Sequence, residues 1–353
     1  MNLTQLYLER QLLHRSTKVD SPLKVAASIC GINAQRTPTI YLSCWNRIEN
    51  FQKEELDKAL YETRALVKIW CMRGTVHIIP SDQFLLYTKA TYPARLWLPS
   101  DISEDFAKTV LKTLDQPLTK SEIAERIRRD YAVSAKKLRY MVGRAVRMLG
   151  YQGAIVFGNP RGTEFYVREY EFARSETWLS HSDDSFSQKE ARQRLLSGYL
   201  RCYGPATVQD FAYWAGFKVA EARKIADESD VENVKIGERI YSINPGDTLG
   251  THPEDEQIVL LPPYDSYVMG YKDKSRIIAK EHRTKVFLPY AEVAATILRN
   301  GRIIGTWDSR KEKDTLTFQV HPFERIEHHD VDVIHEEMRK IAHFMNMKYC
   351  IME

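Results

Sequence analysis

The feature that most restricts how this chain can fold is a pattern that returns three times: two or more helical stretches followed by a β-hairpin. Such a repeat argues for a series of small modules and against one continuous alternation of strand and helix. The middle copy is the clearest. Thr119-Lys120-Ser121-Glu122 has the capping-box pattern, in which a Thr oxygen and a Glu three residues on satisfy the free amides of a helix start. A short helix to about residue 131 follows. Beyond Ser134, the apolar residues Leu138, Met141, Val142, Ala145 and Leu149 recur at helical spacing up to Gly150, which suits a C-terminal stop. Residues 154–157, the breaker run Gly158-Asn159-Pro160-Arg161-Gly162 and residues 163–167 then read as strand, turn and strand. Helix, turn, helix and hairpin is the layout of a winged helix.

The third copy opens with a second box-like start, Ser187-Gln188-Lys189-Glu190, and runs to Gly204-Pro205. Thr207 caps a further helix, another spans about 219–228, and 231–243 supplies a small wing. The first copy is less regular, with helices over 23–31 and 51–61 and paired strands over 66–79 around Arg73-Gly74. After Pro253 the texture changes to short β runs. Residues 293–298 and 303–307 are joined through Asn300-Gly301, a strong type I′ hairpin signal, and a last amphipathic helix carries Ile334, Met338 and Ile341. The expected architecture is α+β, with winged-helix units over 1–100, 101–175 and 176–250 and a β-rich, barrel-like unit over 251–353.

Charge is informative only locally. The 353 residues hold 51 basic and 47 acidic side chains, a formal +4 that names no partner. Between Lys120 and Arg147, however, nine basic residues face three acidic ones, a net +6. Arg128, Arg129, Lys136, Lys137, Arg139 and Arg144 are thereby candidates for contact with phosphate, because a helix–turn–helix would turn these helices to a duplex. The helix near 219–228 is neutral and is expected to pack inside. Mean hydropathy is −0.43 and no apolar run approaches the ~20 residues of a membrane span, so a membrane role is not expected. The first residues lack a basic segment followed by a sustained apolar one, which predicts a cytoplasmic protein without a secretory leader.

Five scattered cysteines, never in a C-x-x-C pair, suggest neither a disulfide framework nor a zinc cage. His328, His329 and His335 lie in a charged stretch and are read as solvated, so no metal and no cofactor are assigned. No Walker loop, G-x-S-x-G elbow or H-E-x-x-H occurs. Two polar interruptions of apolar sequence stand out. In Ile32-Asn33-Ala34-Gln35 two amides lie two residues apart, where an extended backbone would point both to one side and a helix C-cap is the plainer alternative. In Met72-Arg73-Gly74-Thr75-Val76-His77, Arg73 and His77 stand in an apolar hairpin, where pairing with backbone carbonyls is the structural alternative.

Those two segments, together with Ser43-Cys44-Trp45-Asn46-Arg47, the run Leu261-Pro262-Pro263-Tyr264-Asp265-Ser266-Tyr267 and Asn300-Gly301-Arg302-Ile303-Ile304-Gly305-Thr306-Trp307, resemble the signatures of the winged-helix AlkZ-like DNA glycosylases. The Gly305-Thr306-Trp307 ending is closer to the azinomycin-resistance branch than to the YcaQ-like branch. The resemblance implies tandem winged helices and a β-barrel in a C-shaped clamp around double-stranded DNA, a monomer needing no cofactor. It also implies hydrolysis of the N-glycosidic bond of N7-alkylated purines, including interstrand crosslinks. The family's catalytic motif is Gln, an aliphatic residue, then Gln or Asp, which maps to Asn33-Ala34-Gln35, with Asn33 one methylene shorter than the usual first amide. By the same likeness Gln35 and Asn33 are catalytic candidates, and Arg73 and His77 would lie beside the lesion, holding phosphate or flanking the catalytic loop. Tyr264 and Asp265 are candidates for the pocket, with stabilisation of developing positive charge and a structural turn role both open for Asp265. A non-catalytic DNA-binding or regulatory protein on the same scaffold is the alternative.

Overall fold

The computed structural model describes residues 3–92, 101–163, 166–179, 184–249 and 256–352. The expected boundaries at 100 and 250 fall within 93–100 and 250–255, outside the described residues. The fold is α+β, 47% helix and 23% strand.

The helix starts follow their local chemistry. Thr119 Oγ1 accepts from the Glu122 N–H (3.2 Å) while the Glu122 carboxylate accepts from the Thr119 N–H (2.7 Å), and the helix Lys120–Arg126 begins there. The same reciprocal cap opens Gln188–Tyr203 at Ser187 and Val208–Ala215 at Thr207. Ser134 caps the long helix Ala135–Tyr151, which buries Leu138, Val142, Ala145 and Leu149, the stripe its spacing predicts.

Six strands form the first sheet: β1 (Ile32–Asn33), β2 (Leu66–Trp70), β3 (Val76–Pro80), β4 (Leu118–Thr119), β5 (Ile155–Thr163) and β6 (Tyr166–Arg174), in the order β1-β3-β2-β5-β6-β4. The β2–β3 and β5–β6 hairpins thus join edge to edge, at Lys68 opposite Phe157. A separate wing pairs β7 (Glu232–Ile236) with β8 (Arg239–Ile243). Strands β9 (Ile258–Leu261), β10 (Ala295–Arg299), β11 (Arg302–Glu312), β12 (Thr315–Pro322) and β13 (Lys348–Ile351) make a curled half-barrel in the order β13-β12-β11-β10-β9. The helix His328–Phe344 buries Ile334, Met338 and Ile341 against it.

Two expectations need correction. The run Gly158–Gly162 is no turn: β5 continues through it with register shifts after Phe157 and Arg161, because bulges absorb Gly and Pro without ending a strand. The chain reverses only after Thr163; Glu164 and Phe165 lie outside the described residues. The neutral helix Val219–Asp227 is also only half inside. Ala222, Ile225 and Ala226 are buried, and Arg223 and Lys224 face solvent.

Three apolar clusters hold the chain together, and they divide it unevenly. Ile102, Phe106, Ile123, Leu138, Val142 and Phe172 belong to a core whose buried members all lie within 102–172, with Trp70 and Val76 packed against it. The other two are shared. One mixes Tyr7, Ile69, Leu195, Phe211, Tyr267 and Leu298; the other joins Ile29, Ile40 and Ile78 to Ile297, Phe318 and Met338.

Two tight reversals in the last region use opposite chemistry. At Asn300-Gly301 (φ +50° and +79°) the left-handed backbone carries the residues that tolerate it, and a Cβ on Gly301 would come within 2.7 Å of Thr4. At Tyr290-Ala291 both φ values are +60°, although neither residue is Gly or Asn, at a cost of about 1–2 kcal/mol per residue. That loop is closed by the Leu288 N–H to the Glu292 carbonyl (2.9 Å) and by a bridge between Phe287 and Val293.

Candidate active site

The amide segment is set by the turn that precedes it. After the helix Pro22–Ser28 the chain turns through two left-handed residues, Cys30 (φ +55°) and Gly31 (φ +91°), where a Cβ on Gly31 would press on Ile79. It then runs as β1 along β3, with Asn33 opposite His77 and the Ala34 N–H bonded to the Val76 carbonyl (2.8 Å). Asn33 is therefore a strand residue, 5% exposed, and not a helix cap. Its Oδ1 accepts from the Gln35 N–H (3.4 Å), and its Nδ2 is buried with no hydrogen-bond partner among the described residues. Gln35 lies in a bend with its side chain exposed, so the two amides do not share one extended run.

The segment after Gln35 is pinned from three directions. Arg36 pairs with Glu292 (2.6 Å) and its guanidinium lies 5.5 Å from the Tyr264 ring centroid. The Tyr264 hydroxyl donates to the same Glu292 carboxylate (2.6 Å), and this bond lowers the Glu292 pKa. Thr37 Oγ1 meets the Tyr170 hydroxyl of β6 at 3.1 Å. The helix Thr37–Trp45 then leads to Arg47, whose guanidinium forms a bidentate pair with Asp265, both bonds 2.8 Å and both side chains fully buried. Arg47 also donates to the carbonyls of Gln11 (2.9 Å) and Ser43 (3.0 Å), and Asp265 accepts from the Tyr267 N–H (2.9 Å). With every donor and acceptor matched, the pair ties this helix to the loop before β10 instead of leaving a charge unpaired.

Several sequence candidates change role in the folded chain. Asp265 is fully enclosed: it caps a turn, the structural role the sequence left open, and neutralises Arg47. Tyr264 lies at the edge of the amide segment and braces Glu292, itself in a left-handed conformation (φ +61°). His77 is 3% exposed with Nδ1 against the Thr75 carbonyl (3.2 Å); burial, helped by the positive charge of Arg73, pulls its pKa to about 3. It is neutral near pH 7 and holds no phosphate as a cation. Arg73 is half-buried and donates to the Trp214 carbonyl (2.6 Å), packing against Gly216, where a Cβ would come within 2.9 Å of the Arg73 backbone. It ties the turn between β2 and β3 to the helix Val208–Ala215, the carbonyl pairing that the sequence left as the alternative.

The basic face of the central unit is on the surface. Arg128, Arg129, Lys136, Lys137 and Arg139 are exposed. Arg144 is half-buried and paired with Asp101 (2.7 Å), and Arg126 with Asp115 (2.6 Å); Arg129, Lys136, Lys137 and Arg139 have no ion-pair partner among the described residues.

Sequence reading assigned no role to Arg36, Arg47, Glu292 or Lys68. Lys68 is buried on β2, its Nζ 3.8 Å from the Tyr170 ring centroid, and burial lowers its pKa to about 7. Its one signal was a basic residue inside an apolar strand pattern. Arg36 and Glu292 lie 256 residues apart and carried none.

Against known proteins, the chain matches the family described as DNA glycosylase AlkZ-like over residues 26–344. It is 23% identical over 359 aligned positions to an interstrand DNA cross-link repair glycosylase of Streptomyces sahachiroi, covering 95% of this chain and 93% of that protein. The solved structure of Streptomyces sahachiroi DNA glycosylase AlkZ superposes with a TM-score of 0.81 at 22% identity, over 100% of this chain and 99% of the other, which shows a shared fold. A family match over nine-tenths of its length establishes that this chain belongs to the AlkZ-like DNA glycosylases, hydrolases that act on N-glycosyl bonds.

Proposed function

We propose that this protein is a monomeric DNA repair glycosylase that binds damaged duplex DNA and hydrolyses the N-glycosidic bond of bulky or cationic N7-alkylpurines, with a water held by Gln35 as the nucleophile. Unhooking of interstrand crosslinks, the activity in the name of the Streptomyces relative, extends the same chemistry to a lesion shared by two strands.

The observation that carries the reading is the paired amide geometry: an exposed Gln35 whose backbone N–H is held by the buried Asn33. An N7-alkylated purine already bears positive charge and leaves without a general acid, so the remaining task is to hold a water beneath the forming oxocarbenium. The Gln35 carbonyl oxygen accepts a proton of that water in a hydrogen bond and orients its lone pair toward C1′. Asn33 orients the loop and is a positioning residue, because its own side chain is enclosed. Neutral amides give less stabilisation to developing positive charge than a carboxylate does, which favours labile, cationic lesions over normal bases. The exposed Arg128, Arg129, Lys136, Lys137 and Arg139 hold phosphates, with Arg144 contributing less because Asp101 neutralises it.

Incubation with duplex containing N7-methylguanine, followed by heating in alkali, gives strand breaks at the lesion on this reading; intact strands from protein that binds the duplex refute it. The shorter amide and orphaned Nδ2 of Asn33 favour one rival, a DNA-binding protein without turnover. Asn33→Gln separates the two: cleavage by the variant over an inert parent supports the rival, whereas an active parent eliminates it.

A further inference from the structure

We infer that Tyr290 is a wedge that enters the base stack beside the lesion and keeps open the gap left by a flipped nucleotide; the inference rests on the glycosylase reading above. Glycosylases act on a base only after taking it out of the duplex, and side chains inserted between base steps offset part of the cost of unstacking.

Tyr290 is 99% exposed, with no hydrogen bond or ring contact to any described residue. It is held outward by a turn in which it and Ala291 both have φ +60°. The Asn300-Gly301 turn of the same chain shows the side chains such a backbone favours, so local stability alone does not account for an aromatic ring here. The turn is tied to the amide segment: Glu292, two residues on, binds both Arg36 and Tyr264, and Arg36 directly follows Gln35. The turn that presents the ring is thus linked, through Glu292 and Arg36, to the residue that holds the water. The stretch leading to the turn carries a basic excess: Lys280, Arg283 and Lys285 are exposed and have no ion-pair partner among the described residues, against the exposed Glu281. Cationic side chains flanking an exposed aromatic form a surface for a phosphate backbone with stacked bases.

The test uses the full chain and a duplex with 2-aminopurine next to an N7-methylguanine. Binding of the parent raises the 2-aminopurine fluorescence severalfold as the neighbouring base leaves the stack. The double variant Tyr290→Asn with Ala291→Gly, whose relaxed turn keeps it folded, leaves the signal near that of free duplex, and Tyr290→Phe retains the rise. In single-turnover assays the double variant releases N7-methylguanine about 10- to 100-fold more slowly from a paired site, the size of a lost base-stacking contact. Opposite an abasic gap, where little unstacking is needed, it stays within about 3-fold of the parent. An unchanged fluorescence rise in the double variant, or equal loss in both contexts, overturns the wedge. A rise that depends on Tyr290, with no base release by the parent in either context, leaves the wedge standing and refutes the glycosylase reading.

Discussion

In the central region, Ile123, Leu138, Val142 and Phe172 build a core from neighbouring sequence, with only Trp70 and Val76 added from outside, and the basic residues of the helix Ala135–Tyr151 point mostly to solvent. In the body that carries the amide segment, cores run across residues far apart in sequence, and charged groups lie inside: Arg47 with Asp265, Arg276 with Asp210, and Lys68 against Tyr170. The difference separates two uses of charge. Exposed cations are free to trade counterions for phosphates, whereas buried ones tie distant segments together, as Arg47 with Asp265 ties the helix that follows Gln35 to the turn after β9.

The contrast is broken most severely by removing one partner of a buried pair. Asp265→Ala leaves the buried Arg47 guanidinium without its counter-charge and lowers stability by about 3–5 kcal/mol, read by urea denaturation. A loss under ~1 kcal/mol, the range of exposed pairs, would mean that this body does not depend on its internal charge. Lys68 sharpens the comparison from the other side. Its pKa is about 7 in the folded chain and near 10.5 when unfolded, so between these values the unfolded state binds more protons and stability rises with pH. Lys68→Met removes that penalty, stabilising the protein by about 1–3 kcal/mol at pH 6, with the gain shrinking as pH approaches 10. A gain independent of pH would show that Lys68 is not held against its charge. The smallest effect on stability belongs to the central unit. Replacing Arg128, Arg129, Lys136 and Lys137 by Ala leaves the unfolding midpoint unchanged and reduces the salt slope of duplex binding by about 3 to 4 units. An unchanged slope would remove this face from the interface.

The same division governs how much was legible in the sequence. Thr119 with Glu122, Ser187 with Glu190 and Asn300-Gly301 are read within four residues, because caps and type I′ turns are decided by local chemistry. The basic face of 120–147 was legible because helical spacing and charge lie in one stretch. Asn33 and Gln35 were found, but not that one is enclosed and the other exposed, since β1 exists only by pairing with β3. Asp265 looked like a pocket residue because its partner Arg47 stands 218 positions away, and His77 like a cation because burial, which lowers its pKa, is a tertiary property. The parallel strand β13 adds to the sheet beside β12, a pairing no nearby turn announces. Tyr290 escaped notice because Tyr-Ala is not a turn signal; only the backbone reveals that it occupies one.

On the proposed function, the exposed Gln35, its backbone held by Asn33, carries the water that cleaves the glycosidic bond. The most direct test is single-turnover release of N7-methylguanine from duplex by the parent and by Gln35→Ala, with duplex affinity measured on the same preparations. The account predicts that the parent releases the base, and that the variant loses at least about 100-fold in rate, as a displaced water would cost, while binding duplex as tightly. Release by the variant at the parental rate would contradict it.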